Sequence, residues 1–248
     1  MPRSKFCYRC GAEAGPGQLI YGLCVRCFSE ENPLIRAPRE IKVLVCGSCG
    51  AYRSRNSWIT PTCGDGVNAA IVDSAISSVQ AAVAGPDGVM IVPATQSTDL
   101  VLEVHPSPDK KHVRITARGR VHRLQPEVVE DVMIGVRVDT GTCDVCRARR
   151  GGKYEAIIQV RGELGGKSIS EVRRAVDEAI GGLWPEAFVS KTVKLREGMD
   201  FYIYPAGAAR RAVQMMRKLG AEVVESSKLV GQTRDGKRRY RSTFLVRF

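Results

Sequence analysis

No apolar run in the 248 residues approaches the ~20 needed to cross a bilayer, so no transmembrane helix is expected. The opening stretch Met1-Pro-Arg-Ser-Lys-Phe-Cys lacks the apolar core of a signal peptide. An intracellular, cytoplasmic protein is expected. The chain also lacks a G-x-x-x-x-G-K-[ST] phosphate loop, a G-x-G-x-x-G turn after a strand, and an H-E-x-x-H pair. It has three histidines, His105, His112 and His122, and nothing in the sequence orients them as bases or ligands. These absences argue against an enzyme. Charged residues at 26% and hydrophobic ones at 44% exclude global disorder.

Nine cysteines are present, and a secreted disulfide framework does not suit a reducing cytosol. Eight fall into four C-x-x-C pairs: Cys7/Cys10, Cys24/Cys27, Cys46/Cys49 and Cys143/Cys146. Two intervening residues let a tight turn aim both sulfurs at one ion, about 2.3 Å away. Two such knuckles complete a tetrahedral site, so four knuckles predict two Cys₄ zinc ions. Closed Cys₄ sites are structural and not catalytic. Gly11, Gly47 and Gly50 stand at knuckle positions where positive φ is easily adopted. Lys5, Arg9, Arg26 and Arg147 would offset thiolate charge. Redox pairs, an iron–sulfur cluster or hyperthermophile disulfides are the competing readings. Redox motifs seldom come in fours, and no βαβ context surrounds these.

Four knuckles pair in three ways. First with second leaves 13 residues between knuckles, and third with fourth then spans 93. Such a second site would clamp the middle of the chain at both ends. Spacing leaves an interleaved pairing open. Cys63 stands alone and reads as a small buried hydrophobe or a surface thiol.

Three segments are expected. Residues 1–66 form a zinc-knuckle module whose folding free energy comes from metal, of order 10 kcal/mol per site. Residues 67–150 form an α+β segment closed by the second site. There Val72, Ile76, Val79 and Val83 predict one helix face stopped at Gly85-Pro86. Strands are predicted at 100–105, 112–120 and 131–138. Residues 151–248 form a compact β-α-β-β-α-β-β domain, with helices on one face of an antiparallel-rich sheet. Its first helix has a capping-box start, Ser168-Ile-Ser-Glu171, and a stripe of Ile169, Val172, Val176 and Ala179.

The net charge of +12 is uneven. Residues 1–66 carry +4, residues 67–142 carry −2, and residues 143–248 carry +10. Within the last segment the predicted helix 206–219 buries Ala209, Val213 and Met216 and presents Arg210, Arg211, Arg217 and Lys218. The final strand adds Arg239 and Arg241, and its loop adds Arg234, Lys237 and Arg238. RNA phosphates are the expected ligands of these nine, since Lys/Arg–phosphate contacts release counterions. The competing reading is a charged edge strand that deters aggregation.

Several stretches together resemble a known family. They are Phe6-Cys-Tyr-Arg-Cys-Gly11, Leu23-Cys-Val-Arg-Cys-Phe28, Cys46-Gly-Ser-Cys-Gly50 followed by Trp58, and Thr142-Cys-Asp-Val-Cys-Arg147 running into Tyr154-Glu-Ala-Ile-Ile-Gln-Val-Arg161. In this order they resemble the nonsense-mediated-decay-protein-three family. Its eukaryotic members are the adaptor for nuclear export of the large ribosomal subunit, and archaea have homologues. The resemblance implies two Cys₄ sites, one of Cys7, Cys10, Cys24 and Cys27, the other of Cys46, Cys49, Cys143 and Cys146. It implies a following domain similar to a large-subunit ribosomal protein. It also implies binding of the large ribosomal subunit, both rRNA and ribosomal proteins, as a monomer. Another subunit anti-association factor is a further implied partner. The eukaryotic domain similar to translation factor five-A and the signal-bearing tail have no counterpart in this sequence, which implies an archaeal-type member. The role expected is subunit biogenesis, quality control or anti-association. The alternatives are a zinc-finger-targeted RNA-modifying or RNA-processing enzyme, or a zinc-ribbon protein–protein adaptor.

Overall fold

The computed structural model describes residues 5–15, 17–62, 65–161, 169–183, 185–232 and 235–247, without the side chains of residues 169, 170, 172 and 175. Cys63, Ser168 and Arg234 lie outside the described residues, as do the side chains of Ile169 and Val172. The chain is α+β and forms two compact units, Met1–Gly141 and Thr142–Phe248. Among the described residues no helix is long and apolar enough to cross a membrane.

The first unit opens with β1 (Lys5–Phe6), β2 (Glu13–Ala14), α1 (Val25–Glu31) and β3 (Ile35–Arg36). Then come β4 (Glu40–Cys46), β5 (Tyr52–Ser54), β6 (Ser57–Ile59) and α2 (Gly66–Ser78). It closes with β7 (Gln80–Ala84), β8 (Val89–Pro93), β9 (Leu100–Pro106), β10 (His112–Gly119) and β11 (Val128–Gly141). The main sheet has the order β6-β5-β4-β11-β10-β9, and β3-β7-β8 form a second sheet. β4 and β11 run parallel, with Gly135 opposite Glu40 and Gly141 opposite Cys46. These two strands lie on either side of position 66, so one sheet draws on both of the first two expected segments.

Alternation builds the main sheet. Val113, Ile115 and Ala117 of β10 are fully buried, while Arg114 and Arg118 face out. They share a core with Ile41, Val43 and Val45 of β4, Ile134 of β11, and Phe28, Leu34 and Ile71. The strands predicted at 100–105, 112–120 and 131–138 correspond to β9, β10 and β11, the last being longer than expected.

The predicted helix through Val83 is corrected. α2 ends at Ser78, and residues 80–84 form β7. The buried helix face is Ala70, Ile71 and Ala75, whereas Val72 and Ile76 are only half-buried. A Val-rich run with small neighbours satisfies either period, and ladder pairing decides for strand. β7 pairs with β3 and β8, and Ala82 N donates to the Leu34 carbonyl at 3.1 Å. Gly85-Pro86 belongs to the β7–β8 turn, where Gly85 N donates to the Gly88 carbonyl at 2.7 Å. Helix α2 starts on Asp65, whose carboxylate accepts from Val67 N at 3.0 Å and pairs with Lys110. The hydrogen bond from Lys110, then that from Val67 N, holds the Asp65 carboxyl below the usual carboxylate range.

The second unit contains α3 (Asp144–Arg150), β12 (Ala156–Arg161), α4 (Ile169–Gly181), β13 (Phe188–Leu195) and β14 (Gly198–Tyr204). It ends with α5 (Ala206–Lys218), β15 (Glu222–Gln232) and β16 (Arg238–Arg247). From β12 onward this is the predicted β-α-β-β-α-β-β order. The sheet order is β13-β14-β12-β16-β15, with β12 parallel to β16 and antiparallel to β14. Helices α4 and α5 contribute Val176, Ile180, Ala209, Val213 and Met216 to a core with Ile158, Phe201, Ile203, Phe244 and Val246. On the other sheet face, Arg161 and Asp200 pair at 2.6 Å.

Gly66 tests how tightly α2 is seated. A Cβ there would meet the Gly50 carbonyl oxygen at 2.0 Å. Gly66→Ala is expected to destabilise the first unit by about 2–3 kcal/mol through overpacking. Hydrogen exchange at the Val113 and Ile115 amides measures this. Gly181→Ala, where a Cβ meets none of the described residues within 4 Å, is the control and should leave stability unchanged or slightly raised.

Candidate metal centres and basic surface

The four knuckles come in two backbone forms. In the first and third, the chain folds back on itself: Cys7 N donates to the Ala12 carbonyl, and Cys46 N to the Ala51 carbonyl. Each then closes with a glycine amide, Gly11 N to the Cys7 carbonyl and Gly50 N to the Cys46 carbonyl, both at 2.9 Å. Gly11 and Gly50 sit at φ +70° and +74°, the left-handed region that glycine enters without steric cost. In the second and fourth, the first cysteine caps a helix. Cys24 is the N-cap of α1 and Cys143 the N-cap of α3. The Cys143 sulfur accepts from Cys146 N at 3.3 Å. Helix N-termini favour thiolates over thiols.

The structure brings Cys7, Cys10, Cys24 and Cys27 together, and likewise Cys46, Cys49, Cys143 and Cys146. Within each group the sulfurs all lie within 4.8 Å of one another. Each group joins one turn knuckle to one helix knuckle. The Cys10 and Cys24 sulfurs are 3.8 Å apart. A tetrahedron with metal–sulfur bonds of about 2.3 Å has sulfur–sulfur edges of about 3.8 Å, so the donor set fits. Both groups are geometrically suited to a metal ion, and all-thiolate donors suit zinc.

The environment of the first group acts differently on its sulfurs. Backbone N–H groups of Cys24, Cys10 and Arg9 pull the Cys7 thiol down to about 6, with Cys24 contributing most. Burial, reinforced by hydrogen bonding to Cys10, Cys24 and Cys7, pushes Cys27 up to about 12. The Cys7 and Cys27 thiols of one group are thus moved in opposite directions, the first by backbone donors and the second by burial. Arg9 braces the rim, donating to the Cys27 carbonyl at 3.4 Å and to Glu30 at 2.9 Å.

The basic residues are distributed over more than one face. Arg210, Arg211, Arg217 and Lys218 are exposed on α5. Arg210 lies 3.6 Å from Glu225. Lys237 lies 3.5 Å from Asp235. Arg238 and Arg239 are exposed and alternate along β16. Arg241 is half-buried, its guanidinium 4.2 Å from the centroid of the Tyr154 ring. β16 is not an edge strand, since β15 lies outside it. Its pairing with β12 covers 242–246, so among the described residues 238–241 pair with β15 alone and make a two-stranded ribbon. The ribbon also exposes Lys228, Leu229 and Tyr240. Sequence reasoning passed over Lys228, because the residue becomes part of the ribbon only through its register opposite Arg241.

The purified chain is expected to carry about two zinc ions by elemental analysis, four cysteines to each. Cys143→Ser should release one of them. Chelation should unfold the first unit, while the core of residues 156–246 keeps its amide protection. One ion, or iron in place of zinc, would refute the assignment.

Comparison with known proteins gives two family matches. Residues 7–151 match the model described as NMD3, N-terminal domain, and residues 153–248 that described as NMD3, second domain. No curated protein matches the chain. The matches together span nearly all of it, and the chain belongs to the NMD3 family, a ribosome-associated family.

Proposed function

We propose that the chain is a non-catalytic, zinc-dependent factor that binds the large ribosomal subunit. It acts as a monomer in the cytoplasm, on rRNA and ribosomal proteins. The step served is subunit biogenesis, quality control or the separation of subunits, with another anti-association factor as a further partner. Zinc supplies folding free energy to the knuckles and takes no part in chemistry.

The observation that carries the RNA part of the reading is the β15–β16 ribbon. Ahead of Ser242 it has no third strand among the described residues, and this stretch with its loop exposes Lys228, Lys237, Arg238 and Arg239. Arg239 shares a face with Arg241, and Arg238 lies on the other. A ribbon with cations on both faces suits phosphates on either side of it. Arg211, Arg217 and Lys218 of α5 supply a second exposed basic surface. Arg241 has a different part: stacked on Tyr154, it anchors the ribbon where it leaves the sheet.

Co-sedimentation with large subunits over a salt series tests this. Binding should weaken steeply as salt rises. Arg238→Glu with Arg239→Glu should lower affinity and flatten the slope of log K against log salt by about two, with the unfolding temperature unchanged. Absence of association at low salt, or a salt-insensitive association, would overturn the reading.

A further inference from the structure

The first unit holds a cleft of about 290 Å³, lined among others by Lys42, Arg53, Arg55, Asp73, Ser74 and Ser77. It lies where β4 loses a neighbour. On one side β4 pairs with β11 along its whole length, but on the other, among the described residues, only Val45 pairs, with Tyr52. The uncovered stretch Lys42–Leu44, the β5–β6 hairpin and α2 form its walls.

Three cations and one carboxylate face this cleft, yet none closes on another. Among the described residues, Lys42, Arg53, Arg55 and Asp73 make no ion pair within 4.0 Å. Arg53 instead lies 5.9 Å from the centroid of the Trp58 ring, its cross-strand neighbour. Ser74 and Ser77, three apart on α2, line the same cleft. Arg55 is held at φ +50° in the two-residue turn between Ser54 and Ser57. Such turns ordinarily take Gly, Asn or Asp at that place. A cation is thus kept where the backbone disfavours it.

Opposite charges that share a cleft without pairing leave room for a ligand that answers both. It must present an anion to Lys42, Arg53 and Arg55, and hydrogen-bond donors to Asp73. A phosphate next to a ribose does this, because the 2′-hydroxyl donates to a carboxylate while the phosphate takes the guanidinium groups. We propose that this cleft binds a ribose-phosphate unit, with Arg53, Arg55 and Lys42 on the phosphate and Asp73 on the sugar hydroxyl. The unit belongs either to an RNA chain or to a free nucleotide. The inference stands apart from subunit binding by the second unit.

The test uses the full zinc-loaded chain carrying Arg238→Glu and Arg239→Glu, which removes the ribbon's contribution. Fluorescence anisotropy measures binding of a labelled ten-residue oligoadenylate and its deoxy counterpart, with adenosine monophosphate and inorganic phosphate as competitors. The ribo-oligomer should bind several-fold more tightly than the deoxy form. Arg53→Gln with Arg55→Gln should weaken it about tenfold and flatten the salt slope by about two. Asp73→Asn should bring the ribo/deoxy ratio towards one while leaving the salt slope intact. Ser77→Glu, which adds a negative charge without removing any wall, should also abolish binding. Displacement by the monophosphate assigns the site to a free nucleotide, and resistance to it assigns the site to an RNA chain. Equal displacement by inorganic phosphate, or unchanged affinity and slope in the arginine variant with zinc content intact, would overturn the proposal.

Discussion

The parallel register of β4 on β11 is the constraint on which the first unit depends. It places Gly141 opposite Cys46, two residues before Cys143. The same pairing lines up Ile41, Val43 and Val45 with the core that β10 and α2 complete. Parallel neighbours require a crossover, and here the chain from β5 to β10 provides it. Gly135 marks how closely the strands run at the start of that register: a Cβ there would lie 3.3 Å from the Arg39 carbonyl oxygen. A slip by one residue would turn Val43 outward and Lys42 inward, so hydrophobic alternation and knuckle placement enforce each other.

The two four-cysteine groups repeat one design. A glycine-closed turn meets a helix N-terminus, and each supplies two sulfurs. With four thiolates and a dication, each group would carry a local charge of −2. Such a charge would suit a scaffold better than a phosphate grip. The cations are held elsewhere, on α5, on the ribbon and around the cleft at Lys42. The net +12 of the bare chain falls to +8 when eight thiolates and two dications are counted.

The donors were legible in the sequence because thiolate spacing is a local property. Their pairing was not, since 93 residues separate Cys49 from Cys143 and only sheet register brings them together. The second unit read well because each element has its own period and stop signal. Val79–Val83 misled because its apolar residues satisfy the helical repeat as well as a ladder. β5 and β6, three residues each, are too short to carry a period. The basic residues were legible one by one, but not the division that alternation imposes on Arg238 and Arg239, nor the stacking of Arg241 on Tyr154. The cleft left no trace in the sequence, because Lys42, Arg53 and Asp73 converge only through the missing neighbour of β4.

The long crossover also orders events in time. At roughly 5–20 residues per second of synthesis, the 93 residues between Cys49 and Cys143 take about 5–19 s to appear. Cys7 to Cys27 emerge within about 1–4 s of one another at the same pace. The first centre can therefore fill while the third knuckle still waits as a two-sulfur half-site, with β4 holding an unpaired edge. A nascent chain starved of metal, or halted inside the crossover, exposes that edge and those thiols together. The same ligand spacing that secures the finished unit sets the interval in which it is most open to oxidation and to pairing with the wrong strand.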